Sequence, residues 1–140
     1  MTEFDVALSF AGEQRSYVEE VADYLGAKGL TVFYDKFYQS HLWGKDLSIY
    51  LHDVYSKKSK FCIMFISKEY LEKAWPSHER RSAMEKQVEV KGGYILPVRF
   101  DDTAVPDLPS SISYIDARTT SPEDLAKLFL EKFEHENIEA

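Results

Sequence analysis

Four short apolar runs and a weaker fifth strand segment, separated by segments with helical periodicity, constrain this 140-residue chain more than any other feature. They lie at residues 4–10, 30–34, 61–66, 94–100 and 113–116. Their length and their lack of strict polar alternation are typical of strands that are covered on both faces of a parallel sheet. Parallel strands need crossover connections, so the sequence predicts an α/β fold.

Amphipathic segments between the apolar runs supply the crossover helices. In the first, at residues 17–25, apolar side chains recur every three or four positions, and Gly26 and Gly29 follow as predicted stops. Ser67 is expected to cap a helical turn after the third run. Further helices are predicted over residues 45–55, 76–90 and 122–133, and a polar, aromatic loop over residues 35–44.

Right-handed crossovers place these helices on both faces of a five-stranded parallel sheet. The most economical arrangement at this size is a flavodoxin-like three-layer sandwich with strand order 2-1-3-4-5. Ligands of such sheets bind beyond the carboxyl ends of the strands, near the switch point between strands 1 and 3. Three segments meet there, at residues 10–13, 35–44 and 67–79. We expect residues 1–140 to form one domain, which can be the effector module of a longer protein.

The charge balance argues against nucleic acid as a partner. The chain has 17 Lys and Arg against 24 Asp and Glu, a net charge of −7, whereas nucleic-acid binders concentrate basic side chains on one face. The one basic cluster, at Lys57, Lys58 and Lys60, is short and is interpreted as a solvated helix end. A hydrophobic content of 44% is typical of a globular domain rather than a disordered chain.

Cysteine usage and hydropathy predict a cytoplasmic domain. Cys62 is the only cysteine and lies within an apolar run, so it can form no internal disulfide, which fits a reducing compartment. No run approaches the roughly 20 apolar residues of a membrane span. We therefore expect no direct membrane insertion.

Trp75 and Glu79 form the most informative pair in the sequence. A helix that begins near Pro76 places these two side chains on one face, and the helix dipole favours the ionised carboxylate in the first turn. A persistent anion beside an aromatic plane is suited to stabilising positive charge on a ligand. The alternative interpretation is that Glu79 only complements its helix terminus and pairs with Arg80 or Arg81.

The loop after the second strand is rich in aromatic residues. Phe37, His41 and Trp43 lie between Asp35 and Lys45, where a planar ring could stack. The alternative is that Trp43 tucks under the loop as a packing residue, because tryptophan is seldom left fully exposed.

Several common chemistries of this architecture lack their motifs. The first turn reads SFAGEQ, which is neither a GxGxxG fingerprint nor a Walker loop. No HExxH spacing surrounds His78, so a metal site is not predicted, and no nucleophile elbow surrounds Ser9 or Ser67. A receiver domain would carry acidic residues at the end of the first strand, where this chain has Phe10 and Ala11.

Four segments in order carry a family resemblance: DVALSFAGEQRSYVEEVADYL, GLTVFYD, FCIMFISKEYLEKAWPSHERRSA and YILPVRFDD. Over nearly its whole length the chain resembles a bacterial Toll/interleukin-1 receptor (TIR) domain of the NAD-cleaving type. The resemblance implies that Glu79 is the catalytic residue, that NAD+ is the substrate and that no cofactor is needed. The substrate-binding residues that it implies are Phe10, Ala11, Gly12, Tyr34, Asp35, Trp43, Lys45, Ser67 and Trp75.

The resemblance also implies partners. The segment from Asp35 to Lys45 corresponds to the family's BB loop, which gates the pocket and mediates self-association. Many bacterial members act in anti-phage immunity beside a fused or separate sensor domain. Two other functions stay open from the sequence: a non-catalytic TIR adaptor for homotypic assembly, and a nucleoside deoxyribosyltransferase. A measurement of NAD+ consumption distinguishes the NAD-cleaving enzyme from these two alternatives.

Overall fold

The five predicted strands form one parallel sheet in the computed structural model, which describes residues 3–46, 50, 53–54, 58–74, 94–105, 108 and 111–139. The strands are β1 (Phe4–Ser9), β2 (Val32–Phe33), β3 (Ser59–Ile66), β4 (Ile95–Arg99) and β5 (Ile115–Asp116). Their order is β2-β1-β3-β4-β5, and every neighbouring pair is parallel. The predicted strand order and flavodoxin-like architecture are confirmed.

Three helices are described in full: α1 (Arg15–Ala27), the short α2 (Gln39–Leu42) and α3 (Pro122–Glu139). A 3-10 turn at Gly12–Gln14 precedes α1, another at Asp35–Tyr38 precedes α2, and a π-helical turn at Tyr70–Ala74 follows β3. Of the predicted helix at residues 45–55 the structure describes only parts, and the predicted helix at residues 76–90 lies outside the described residues.

The sheet buries apolar side chains on both faces, as the near-continuous apolar runs predicted. On one face, side chains such as Phe61, Ile63 and Phe65 pack with those of α1 and α3. On the other face, Cys62 and Met64 belong to a second cluster. β3 therefore contributes alternate residues to two cores, which explains why its sequence shows no polar alternation.

Predicted element ends need correction where backbone geometry decides them. Gly26 is not a stop, because α1 continues through it to Ala27. The chain leaves the helix at Gly29, whose φ of 88° lies in the left-handed region that glycine tolerates best. Its amide donates to the Gly26 carbonyl at 3.0 Å. At the other end of the chain, α3 continues past the predicted end at residue 133 to Glu139.

The strands also differ in length from the apolar runs. β1 ends at Ser9 and not at residue 10, and β2 comprises only Val32 and Phe33 of the predicted residues 30–34. β3 begins two residues early because Ser59 pairs with Phe4, and the Ser59 hydroxyl donates to the Val54 carbonyl at 3.0 Å. β4 and β5 are each shorter than predicted.

The segment predicted as a loop at residues 35–44 is largely helical, with the 3-10 turn running directly into α2. Aromatic contacts explain this, since Tyr38 stacks on Phe33 with centroids 5.7 Å apart and meets the edge of Phe4 at 5.6 Å. Gly44, at a φ of 84°, ends the segment. In the part of the chain that the structure describes, no helix has both the length and the apolar character needed to cross a membrane.

Candidate functional site

The carboxyl ends of β1, β2 and β3 converge at one edge of the sheet, because β1 lies between the other two strands. Phe10 and Ala11 follow β1, Tyr34 and Asp35 follow β2, and Ser67 follows β3. The Phe10 ring stacks on Tyr34 with centroids 5.6 Å apart. The topology therefore brings these predicted substrate residues to one edge, as the switch-point argument expected.

A charged network joins two of these strand ends to α1. The Arg15 guanidinium donates to both carboxylate oxygens of Asp35, at 3.0 and 3.1 Å, and to the Tyr34 hydroxyl at 2.9 Å. The Tyr34 hydroxyl in turn donates to Glu19 at 3.1 Å, and the Lys36 ammonium donates to the same Glu19 oxygen at 3.0 Å. Positive and negative groups thus alternate along the surface from α1 to the start of the 3-10 turn.

The hydrogen bonds of this network favour the charged forms of Arg15, Glu19 and Lys36. The hydrogen bonds to Asp35 raise the pKa of Arg15. The hydrogen bonds from Lys36 and Tyr34 lower the pKa of Glu19. Burial raises the pKa of Tyr34, so its hydroxyl stays protonated and can donate to Glu19. Tyr34 itself is fully buried beneath the network, and its role towards substrate stays a prediction.

A cleft of about 550 Å³ opens beside this network. Trp43 is 89% exposed on its wall, so the structure does not show the alternative in which this residue packs under the loop. The Lys45 ammonium lies over the ring of Tyr50, 5.7 Å from its centroid. Gly12 is exposed at the start of the first 3-10 turn, whereas Ala11 is buried. The cleft is lined by Arg15, Asp35, Lys36, Gln39, Leu42 and Trp43.

A buried polar chain connects β1 to the segment that follows β3. Ser67 is buried, and its hydroxyl donates to Gln14 Oε1 at 3.0 Å while accepting the Tyr70 amide at 3.0 Å. Ser67 thereby caps the turn after β3, as predicted. The Tyr70 hydroxyl shares a 2.7 Å hydrogen bond with the Ser9 hydroxyl. These bonds fix the path of the chain as it leaves β3.

The predicted catalytic pair, Trp75 and Glu79, lies outside the described residues. The described segment that follows β3 runs as far as Ala74, the last residue of the π-helical turn. The assignment of Glu79 as the catalytic residue and of Trp75 as a substrate contact therefore stays a prediction from the sequence.

A comparison with models of protein families identifies the family to which this chain belongs. The model of the TIR domain family matches residues 6–129. This chain belongs to the TIR domain family. Two solved TIR-containing structures share its fold at 19% identity: the TIR domain of the Toll-related receptor TRR-2 from Hydra magnipapillata (TM-score 0.63, covering 91% of this chain and 97% of that one) and a TIR-STING receptor from C. gigas (TM-score 0.66, covering 90% and 39%).

Two curated relatives are closer in sequence to this TIR domain. The 3' cyclic ADP-D-ribose synthase AaTIR of Aquimarina amphilecti is 47% identical over 130 residues, which cover 93% of this chain and 40% of the relative. The NAD(+) hydrolase TcpA of Theionarchaea archaeon (strain DG-70-1) is 38% identical over 97 residues, which cover 69% of this chain and 28% of that relative. The TIR domain described here thus spans less than half the length of either protein.

Arg15 is the residue that sequence reasoning missed at this edge of the TIR domain. It is the first residue of α1, where the helix dipole disfavours a cation. A cation at that position needs an acidic partner from another segment, so its unfavourable placement was the feature of the sequence that could have indicated the pairing. Tyr70 was also missed, since a tyrosine within an apolar helical pattern gives no indication that its hydroxyl reaches Ser9.

A second cavity, of about 290 Å³, lies between α3 and strands β4 and β5. Its described lining residues are mainly apolar, with Ile63, Leu96 and Phe129 among them, and Lys132 is the one charged residue of that described set. The cavity lies away from the convergent strand ends, so it is not the candidate site. Among the described residues, no cluster of three or more His, Cys, Asp or Glu side chains is placed to hold a metal ion.

Asp101 ties the segment after β3 to the end of β4. Its carboxylate accepts the Lys68 amide at 2.9 Å and the Thr103 amide at 3.0 Å. Partial burial opposes ionisation, but these hydrogen bonds outweigh it and hold the pKa of Asp101 below its usual range. A lowered folded-state pKa contributes stability above the unfolded pKa, and that stability is lost as pH falls through the folded pKa.

Asp101→Asn should therefore lower the free energy of unfolding by about 1–2 kcal/mol at pH 7, because an amide group can accept only through its oxygen and one N–H loses its acceptor. The difference from wild type should shrink below about pH 4, where the wild-type carboxylate becomes protonated. Urea unfolding at pH 7 and pH 3 measures both values. Asp102→Asn is the matched control, since the Asp102 side chain is 90% exposed and its loss should have little effect. A difference that is independent of pH would contradict this account.

Proposed function

We propose that this TIR domain cleaves the bond between nicotinamide and ribose in NAD+, acting as an NAD+ glycohydrolase or an ADP-ribosyl cyclase. The observation that carries the proposal is 47% identity, across 93% of the chain, to a protein named as a 3' cyclic ADP-D-ribose synthase. A second relative, at 38% identity, is named as an NAD(+) hydrolase. The second name gives NAD+ as the molecule cleaved and the first gives a cyclic ADP-ribose as the product, and cleavage of the nicotinamide–ribose bond of NAD+ accounts for both.

Glu79 is the residue to which we assign catalysis. Cleavage of an N-glycosidic bond passes through an oxocarbenium-like state, and a fixed carboxylate near the ribose stabilises the developing positive charge. Nicotinamide is cationic in NAD+ and leaves as a neutral molecule, so no general acid has to protonate it. A single carboxylate therefore meets the chemical demand, and neither a second acid nor a cofactor is required.

Two features of the described edge of the sheet support this proposal. The solvent-exposed ring of Trp43 can stack on a planar base, and the cleft beside it is large enough for part of a nucleotide. Ser67 caps the turn that precedes Trp75 and Glu79 in the sequence. The other substrate contacts that we propose are Phe10, Ala11, Gly12, Tyr34, Asp35, Lys45 and Trp75.

The fate of the cleaved ribose separates two products. Capture by water yields ADP-ribose, whereas attack by a hydroxyl of the substrate itself yields a cyclic isomer without gain of water. In ¹⁸O-labelled water the first product gains one heavy oxygen and the second gains none. Mass-resolved chromatography of the products, with nicotinamide measured in parallel, should show nicotinamide equal to the NAD+ consumed. Unchanged NAD+ at every protein concentration would contradict the proposal and favour the adaptor function.

The wider context is also part of the proposal. Because the curated relatives are more than twice as long as the matched region, we infer that this domain acts as the effector of a longer protein or beside a separate sensor. We propose that it works in the cytoplasm, in anti-phage immunity, and that contacts between copies through the segment from Asp35 to Lys45 activate it. The exposed Phe37 and Trp43 support such contacts.

A further inference from the structure

Residues 35–43, which form one wall of the cleft, are held to the body of the domain in two different ways. On the side facing β2, Tyr38 stacks on Phe33 and meets Phe4, and these contacts are apolar. On the side facing α1, the links are ionic: Arg15 with Asp35, and Glu19 with Lys36. We call these four side chains, together with the Tyr34 hydroxyl between them, the ionic tether.

The geometry of the tether distinguishes it from an ordinary surface ion pair. Exposed pairs contribute little when each partner is held by one flexible contact. Arg15 instead forms two parallel hydrogen bonds to Asp35, and its guanidinium lies 5.0 Å from the ring centroid of Phe10 and 5.5 Å from that of Tyr34. Bidentate geometry and ring contacts fix the orientation of the planar group, and lysine, whose ammonium is a point charge, cannot reproduce the bidentate geometry.

The tether also lies where a displacement would change the cleft. Arg15 and Asp35 are cleft-lining residues, and the rest of the wall follows Asp35 directly through Gln39 to Trp43. Phe37 and Trp43 are exposed, whereas Tyr38 and Leu42 pack against the buried cluster, so apolar packing holds only one side of the wall. Because Asp35 is the first residue of the 3-10 turn, its attachment to α1 sets the direction in which the turn and α2 leave the sheet.

We propose that Arg15 is a positioning residue which, through Asp35, holds residues 35–43 in the position that receives the substrate. This inference rests on the proposed function. Arg15 acts on the shape of the cleft and not on the reacting bond. Its loss therefore raises KM for NAD+ and leaves kcat nearly unchanged, since an equal weakening of the binding of substrate and of transition state has that signature.

The test compares Arg15→Lys and Arg15→Gln with Arg118→Lys, a matched control. Arg118 is also a half-exposed arginine that pairs with two carboxylates, Asp102 and Asp116, but it lies outside the cleft lining. Arg15→Lys should raise KM about fivefold, Arg15→Gln should raise it further, and kcat should stay within about twofold. Arg118→Lys should change neither value. A fall in kcat at constant KM, or an equal effect of Arg118→Lys, would overturn the proposal.

Hydrogen exchange supplies a readout that does not depend on catalysis. The amides of Phe37, Trp43 and Lys45 donate to the carbonyls of Tyr34, Gln39 and Leu42, and these bonds report on the order of the wall. In both Arg15 variants the three amides should exchange faster, while the amides of β3 stay unchanged. In wild type, raising the salt concentration from about 0.05 M to about 0.5 M should have a similar but smaller effect, because it screens exposed charges.

This second readout keeps the two proposals separable. If the wild-type protein releases no nicotinamide but the wall amides respond to Arg15→Lys, the proposed function fails and the tether stands as a structural element. If nicotinamide is released but Arg15→Lys changes neither KM nor the exchange rates of the wall amides, the positioning proposal fails. If Arg15→Gln does not fold, Lys36→Gln takes its place, because it removes the other half of the tether.

Discussion

Glu79→Gln should lower kcat for nicotinamide release by at least about a hundredfold, while leaving the fold intact. The substitution keeps the size and hydrogen-bonding capacity of the side chain but removes the charge that stabilises the oxocarbenium-like state, and loss of one such electrostatic group typically costs two to three orders of magnitude. Nicotinamide release should be measured under saturating NAD+, with circular dichroism and thermal unfolding showing that both proteins are folded.

Glu72→Gln is the matched control for this experiment. Glu72 is an exposed carboxylate in the π-helical turn, on the same connection between β3 and the predicted catalytic helix. Its replacement makes the same change of charge on the protein but should leave kcat unchanged. Equal rates for wild type and Glu79→Gln would remove Glu79 from catalysis, and an equal loss in both variants would show that net charge, not position, matters.

Specific activity should rise by about tenfold or more across a thousandfold range of protein concentration. Assembly follows mass action, so an activity that requires contacts between copies increases with concentration. Trp43 is the most exposed of the large apolar side chains that the structure describes, and burying it in a contact between copies would favour association. Trp43→Ala should therefore shift the rise to higher concentration.

Tyr24→Ala provides the control, because Tyr24 is an exposed aromatic residue on α1. It should leave the concentration dependence unchanged. Light scattering at each concentration assigns the active species. A specific activity that is constant over the whole range, with only monomer present, would show that each TIR domain works alone and that the exposed Trp43 serves substrate binding or neither role.

The sheet could be predicted from the sequence because each strand is indicated by a pattern of neighbouring residues. The strands β1, β3 and β4 lie within largely apolar segments, and handedness leaves few ways to connect such segments through helices. The element ends could not be predicted equally well, since they depend on tertiary contacts. Ser59 belongs to β3 because it pairs with Phe4, a residue distant in sequence. Residues 35–42 are helical because Tyr38 stacks on Phe33.

The candidate site could be predicted in position but not in its internal contacts. Its residues were located by a rule about strand ends, which needs only the order of the strands. The pairing of Arg15 with Asp35 joins residues 20 positions apart and depends on how α1 returns to the sheet, which no local pattern encodes. The sequence likewise did not decide whether the Trp43 side chain is buried or exposed, because its sequence neighbours are compatible with both.

The most direct test of the central claim is to follow NAD+ by proton nuclear magnetic resonance in the presence of the concentrated TIR domain. The nicotinamide protons have different shifts when the ring is attached to ribose and when it is free. The account predicts that the signals of attached nicotinamide decay while those of free nicotinamide grow by the same amount, and that Glu79→Gln stops both changes. Unchanged signals, or cleavage of the pyrophosphate with nicotinamide still attached to ribose, would contradict it.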